Sequence, residues 1–266
     1  MRNFILIIAF AMFLSSCEDV IEVDLNDAEP RLVIESSINS RVETGDVFGS
    51  IKLTTTSPFF SNDLPTVEDA IVEIRDESGI VFPFIHEGAG IYVSDFSPQE
   101  STEYTLNIIY NDEIYTATTS LISSVPLEYV EQRNDGGFSG DQIELKAFFQ
   151  DPPNQENFYY FTANSERSIR RNVYSDEFYS GNLMFGSYST DDLIVGDWVQ
   201  FRLYGITEEF YNYMFILLQQ TGGGGGPFET QPATVRGNII NETNPENYPL
   251  GYFRISQISV LNYQVE

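Results

Sequence analysis

YTLNIIYNDEIYTATTS, residues 104–120, decides the fold class of this chain. Tyr104, Leu106, Ile108 and Tyr110 fall on alternate positions, which places them on one face of an extended strand, and aromatic and β-branched residues suit that pleated surface. A second extended run follows over residues 114–120. Between the two, Asn111 and Asp112 are residue types that tolerate positive φ, so the runs close into a hairpin through a tight turn. Working outward, residues 70–76 and 80–85 make another hairpin around Glu77, Ser78 and Gly79, and residues 31–37 and 47–55 carry the same alternation. Six short strands in roughly 100 residues, with no helical period among them, predict an immunoglobulin-like β-sandwich over residues 30–125.

Residues 126–266 read as a second, β-rich domain with one packed helix at about 207–220. Ile143, Leu145, Ala147 and Phe149 alternate with Glu144 and Lys146, and Asp151, Pro152 and Pro153 stop that strand before the aromatic run at residues 158–161. Residues 198–204 place Val199, Phe201 and Leu203 on one face. Thr207 is then an N-cap, with Glu208 and Glu209 in a first turn where the helix dipole favours negative charge. Phe210, Met214 and Leu217 recur at helical spacing beside Tyr211, Phe215 and Leu218, a stripe wide enough to pack on a sheet. Five glycines, residues 222–226, end the helix before Pro227 and Phe228, and residues 235–240 and 251–260 supply closing strands.

The N-terminus reads as an export signal. Arg2 precedes an uninterrupted apolar stretch over residues 4–14, too short to cross a bilayer as a permanent helix. Leu14, Ser15, Ser16 and Cys17 close it, and a leucine and two small residues before a cysteine resemble the lipobox of bacterial lipoproteins. Residues 1–16 are then a lipoprotein signal peptide, Cys17 is acylated, and residues 17–29 are a lipidated N-terminus and tether. The alternatives are an ordinary cleaved signal with a chance cysteine, or a buried structural thiol. Glu18 and Asp19 resemble the acidic surface-export signal of Bacteroidota lipoproteins. Cys17 is the only cysteine in the chain, so no internal disulfide exists and packing must hold the fold together.

The chain carries 13 Lys and Arg against 40 Asp and Glu. Loss of Arg2 with the signal leaves 12 against 40, a formal charge of −28. A surface of that sign repels phosphates and anionic lipid, which excludes nucleic acid as a partner and leaves the acyl chains as the route to a membrane. With 42% apolar and 14% aromatic residues, the chain is too rich in core-forming side chains to be disordered.

Catalytic chemistry finds little support. The only histidine, His86, falls in a loop after a strand, beside Glu87, and no Gly-x-Ser-x-Gly elbow accompanies it. It reads as an exposed hairpin residue. A carboxylate-based hydrolase needs two acids converging on a substrate, whereas Glu208 with Glu209 and Asp191 with Asp192 are merely adjacent. Asp191, Asp192 and Asp197 lie in one loop and are candidate oxygen ligands for Ca²⁺, without EF-hand spacing; no other cofactor is indicated. The glycine run lacks the features of a phosphate cradle. The segment from Tyr174 to Tyr188, with Phe178, Tyr179 and Phe185, is aromatic, Ser/Gly/Asn-rich and weakly periodic. It is expected to be a long loop that contacts a ligand or partner.

These landmarks, in this order, resemble the Bacteroidota lipoprotein family known as domain of unknown function 4249. The likeness spans Val20, Ile21, Asp24, Leu25, Glu29, Pro30 and Glu35, then Pro65, Val67, Val72 and Asp76, then Asp151, Pro152, Asn157, Tyr159 and Tyr160, and finally Tyr211, Tyr213, Asn238, Ile239, Gly251, Tyr252 and Phe253. The resemblance implies a lipid-anchored outer-membrane protein, exposed at the cell surface and often encoded beside a TonB-dependent transporter, with no established catalytic motif. The expected function is therefore non-enzymatic: an accessory that captures ligand for, or caps, an outer-membrane β-barrel transporter. The alternative is a stand-alone glycan- or peptide-binding surface module, and a hydrolase ranks last.

Overall fold

The structure, a computed structural model, describes residues 29–58, 63–137, 140–221 and 234–266. The expected signal peptide over residues 1–16, Cys17, Glu18, Asp19 and the glycine run lie outside the described residues. Among the described residues the chain is mainly β with one helix, as its alternation predicts.

The first half forms strands β1 (Leu32–Arg41), β2 (Val47–Thr55), β3 (Ile71–Asp76), β4 (Val81–Gly88), β5 (Ile91–Val93), β6 (Glu103–Tyr110) and β7 (Glu113–Ile122). Both expected hairpins are present. Asn111 and Asp112 take φ of 50° and 60°, the pair of positive values that a two-residue hairpin turn with matching strand twist requires. On β6, Tyr104, Leu106 and Ile108 are buried, while Ile109 faces out.

These seven strands do not make the immunoglobulin-like sandwich expected over residues 30–125. They close into an eight-stranded barrel whose eighth member, β15 (Leu250–Gln264), comes from the far end of the chain. β15 runs parallel to β1 from the pair Val33 and Leu250 to the pair Arg41 and Ile258. It then meets β7 through Ile255 with Leu121 and Ser256 with Ile122. Closure removes the open edges a sandwich would leave, and the interior fills with Ile34, Ile51, Leu53, Ile74, Leu106, Phe253 and Ile255, all inaccessible to solvent. Local patterning carries no trace of a partner so distant in sequence.

A two-sheet sandwich does exist, but downstream. β8 (Leu127–Gly136), β9 (Gln142–Gln150) and β12 (Leu183–Ser189) form one sheet in the order β12-β9-β8. Facing it are β11 (Ile169–Ser175), β10 (Phe158–Asn164), β13 (Trp198–Ile206) and the C-terminal part of β15. Phe149, Tyr159, Phe161, Phe201 and Leu203 fill the space between. Helix α1 (Glu208–Thr221) starts where expected: the Phe210 amide donates to the Thr207 hydroxyl at 3.2 Å, and the Tyr211 amide to the Thr207 carbonyl at 3.0 Å. Its Phe210 and Met214 pack with Tyr160, Tyr204, Ile206 and Ile258 on the opposite face of the larger sheet. Of the closing strand expected over residues 235–240, only β14 (Ile240–Asn241) forms, as an edge on β7.

A barrel carboxylate, Glu113, helps tie down the loop after β14. Glu113 accepts from the Tyr115 hydroxyl at 2.6 Å, Asn241 Nδ2 at 3.0 Å and Asn247 Nδ2 at 2.7 Å. Burial pushes the Glu113 carboxyl up, but these donors outweigh it and hold it below its ordinary value of 4.5. A depressed folded value means the network stabilises fully above that ordinary value and loses its contribution as pH falls below it. Glu113→Gln, which sets an amide donor against two asparagine donors, is expected to cost about 1–2 kcal/mol at neutral pH. Urea unfolding from pH 7 to about pH 3 should show the gap between the two proteins closing toward the acid end.

Candidate functional site

The aromatic segment is not one loop. β11 runs to Ser175, a turn spans 176–182, and β12 takes up the chain from Leu183. The alternation of β12 is weak in sequence because its inward positions include Gly186, where a Cβ would sit 2.4 Å from the Phe161 ring. The turn is fastened by two buried carboxylates. Asp151 accepts from the Tyr159 hydroxyl at 2.7 Å and the Gly181 amide at 2.9 Å, and Asp176 accepts from the Asn157 amide at 2.9 Å. The five aromatic candidates accordingly separate. Tyr188 lies in the sandwich core at 1% exposure, its hydroxyl bonded to the Ser165 and Ser168 hydroxyls at 2.7 and 2.9 Å. Tyr174 is half-buried against Phe161. Phe178, Tyr179 and Phe185 are exposed.

Two of the three candidate calcium ligands have protein partners and the third is exposed. Asp197 is engaged by Arg167 at 3.1 Å and by the Ile194 amide at 3.1 Å, and both hold its carboxyl below the ordinary range. Asp191 accepts from the Gln142 side chain, and Asp192 is exposed. Among the described residues no group of three or more His, Cys, Asp or Glu is placed to hold a metal ion. His86 is not in a loop after a strand. It lies within β4, half-buried, with its ring 5.1 Å from that of Tyr92, because the inward alternation of Phe82 and Phe84 continues through it.

A cleft of about 430 Å³ lies beneath α1, where the barrel meets the sandwich. Glu35 and Ser37 of β1 and Gly251, Tyr252 and Arg254 of β15 form one side. Phe210, Tyr213, Met214, Leu217 and Leu218 of α1 form another, and Tyr160 of β10 and Arg171 of β11 complete it. Gly251 has φ of 98°, and a Cβ there would sit 2.0 Å from the Ile34 carbonyl oxygen, so this close parallel approach requires glycine. The aromatic rings interlock: Phe210 meets Tyr252 edge-on at 4.8 Å and Tyr160 edge-on at 5.9 Å, and Tyr213 lies 5.0 Å from Tyr252.

Arg254 is the singular group of the cleft. Its guanidinium donates to Asn39 Oδ1 at 3.0 Å and to Ser37 Oγ at 2.6 Å, and lies 4.6 Å from the Tyr204 ring centre. Among the described residues no carboxylate pairs with it, although Arg75, Arg133, Lys146 and Arg167 all have such partners. Burial accordingly pushes the guanidinium below its ordinary value. Burial raises the Tyr160 hydroxyl, against the opposing pull of the positive charges of Arg171 and Arg254. Sequence reasoning passed over both arginines. The signal available was Arg254 itself, a lone cation within the apolar run GYFRISQISV of a strongly acidic chain.

The chain belongs to the family described as domain of unknown function (DUF4249), which it matches over residues 18–261. No curated protein matches it. Among solved structures it is similar to a chain titled "Cytokine receptor complex - Crystal form 1A", at 10% identity and a TM-score of 0.26, with 68% of this chain and 86% of that one covered. A likeness that slight carries no argument about this protein.

The separation of the aromatic residues has a direct test in urea unfolding. Tyr188→Ala, which empties a core position, is expected to cost about 3–5 kcal/mol. Tyr179→Ala, at an exposed turn, should stay within about 0.5 kcal/mol of the parent.

Proposed function

We propose that this protein is a membrane-tethered binding protein, non-enzymatic, that captures a ligand at the cell surface beside an outer-membrane β-barrel transporter. The observation that carries the reading is the cleft beneath α1, a ligand-sized concavity with apolar walls and a few convergent polar groups. Support for the tether comes from the N-terminal sequence, whose lipobox-like ending reads Cys17 as an acyl anchor and the Glu18 and Asp19 that follow as an export pair. The resemblance to lipoproteins encoded beside TonB-dependent transporters supports the neighbourhood of a transporter.

Cell fractionation tests the tether: the parent should partition with membranes and Cys17→Ser should appear in the soluble fraction. Affinity purification of the tagged parent from detergent-solubilised outer membranes tests the partnership. Recovery of a β-barrel protein is expected, and its consistent absence would count against an accessory role.

A second reading, a stand-alone glycan- or peptide-binding module, is favoured by the outer face of the β8-β9-β12 sheet. There Tyr129 stacks on Phe148 at 4.8 Å and 13°, and Phe185 follows at 5.4 Å, with Lys146 over its ring at 4.8 Å. Three rings in adjacent cross-strand register make a platform on which a sugar ring can stack. In this reading glycan-array binding should disappear in Tyr129→Ala and Phe185→Ala and persist in Tyr179→Ala.

A further inference from the structure

We propose that the cleft beneath α1 is a receptor site for a small organic acid, with a carboxylate head held by Arg254 and Arg171 and an apolar body laid along Phe210, Met214 and Leu217. The inference rests on the reading of this cleft as the ligand seat and names the ligand class.

The argument begins with an imbalance of charge. A guanidinium drawn out of water is costly unless an anion and hydrogen-bond acceptors replace the lost solvation. Arg254 has acceptors, Asn39 Oδ1 and Ser37 Oγ, but both are neutral. Its remaining compensation is the electron-rich face of Tyr204 at 4.6 Å, and Phe210 at a longer 5.5 Å. In a chain with 40 carboxylates, pairing this cation internally would need only one nearby Asp or Glu. The carboxylate of the cleft, Glu35, is largely exposed and lies 4.0 Å from Lys52, on the neighbouring strand. Arg254 therefore presents an unneutralised charge to a concave surface, and a bound anion relieves that cost at the moment of binding.

Arg171 gives the site its second arm. It stands on β11, the outer strand of the larger sheet, and reaches the same cleft from the side opposite β1. Arg171, Arg254 and Tyr160 all line this one cleft, so both guanidiniums face the same concavity. A planar carboxylate matches the fork of a guanidinium through paired N–H donors, and charge-assisted bonds of this kind are about twice as strong as neutral ones. The surrounding surface is mostly apolar, so a bare inorganic anion would leave it unused. The volume of about 430 Å³ suits an acid carrying a ring or a short chain. The overall negative charge of the protein slows the approach of such a ligand, and a single negative charge fits better than several.

Isothermal titration calorimetry on the folded lipid-free chain tests this with phenylalkanoates from phenylacetate to 6-phenylhexanoate, the matching amides, and inorganic phosphate. At least one acid should bind saturably at one site, with its amide and phosphate each at least about tenfold weaker. Arg171→Gln, at an exposed position on an outer strand, should keep the parental unfolding midpoint and weaken the acid about tenfold. Arg254→Lys, which keeps the charge but loses the fork, should weaken it by a similar factor. Equal binding of acid and amide, unchanged affinity in both variants, or no saturable binding of any acid would each overturn the proposal. Its failure is separable from failure of the accessory role: a co-purifying barrel without acid binding removes the ligand class alone, and acid binding without a barrel removes the partnership alone.

Discussion

The parallel pairing of β1 with β15 is the constraint on which the rest of the structure depends. Nine residue pairs join the first described strand to the last, and without them the seven strands of the first half have two open edges and an unsealed interior. The same 15-residue strand then continues into the sandwich, where its residues from Ile258 to Gln264 pair with β13. Side chains of β15 join all three apolar clusters: Phe253 and Ile255 the barrel, Ile258 the layer under α1, and Leu261 and Tyr263 the edge of the sandwich core. Barrel and sandwich therefore share a backbone element as well as a surface. A break in β15 removes a wall from each, and no cut in the sequence separates the two into contiguous pieces.

That shared strand explains where the cleft lies. Between barrel and sandwich one face of β15 must turn from one core to the other, and Tyr252 and Arg254 sit on that face while Phe253 and Ile255 point into the barrel. α1 covers the rest of the exposed surface from the sandwich side, with Phe210 and Met214 as its buried contacts. The concavity is the space that a straight helix leaves over a twisted sheet passing between two bodies. Beside the two arginines, its polar groups include those that β1 contributes along the pairing, Glu35 opposite Tyr252 and Ser37 opposite Arg254.

What was legible in the sequence follows the range of the interactions involved. Hairpins and the helix are local, so Asn111 and Asp112, Gly79, and the Thr207 cap announced themselves at the right positions. Barrel closure is not local, and six alternating strands are equally consistent with a sandwich or a barrel until the partner of β1 is known. β12 was missed for a different reason. Its inward positions are Met184, Gly186 and Tyr188, and a glycine demanded by the neighbouring Phe161 ring erases the periodic signal. The aromatic candidates mixed core and surface because alternation along a strand sends adjacent rings to opposite faces. Arg254 escaped notice because an arginine in a strand reads as solvent-facing, and only the packing of α1 above it makes the position enclosed.

The charge distribution gives the cleft its meaning. Arg75, Arg133, Arg167 and Lys146 have each taken a partner, at 3.0 to 3.5 Å. Arg254 is instead surrounded by a serine, an asparagine and aromatic rings, groups that orient a guanidinium without neutralising it. Such an environment costs folding free energy that an internal ion pair would recover in part, and it leaves the donors pre-aimed. Pre-aimed donors lower the ordering cost of binding an anion. A ligand that spans β1, β15, β11 and α1 is also coupled to the junction of the two bodies, because any species that binds only the assembled state stabilises it by mass action. Occupancy of the cleft and integrity of the β15 junction are therefore thermodynamically linked.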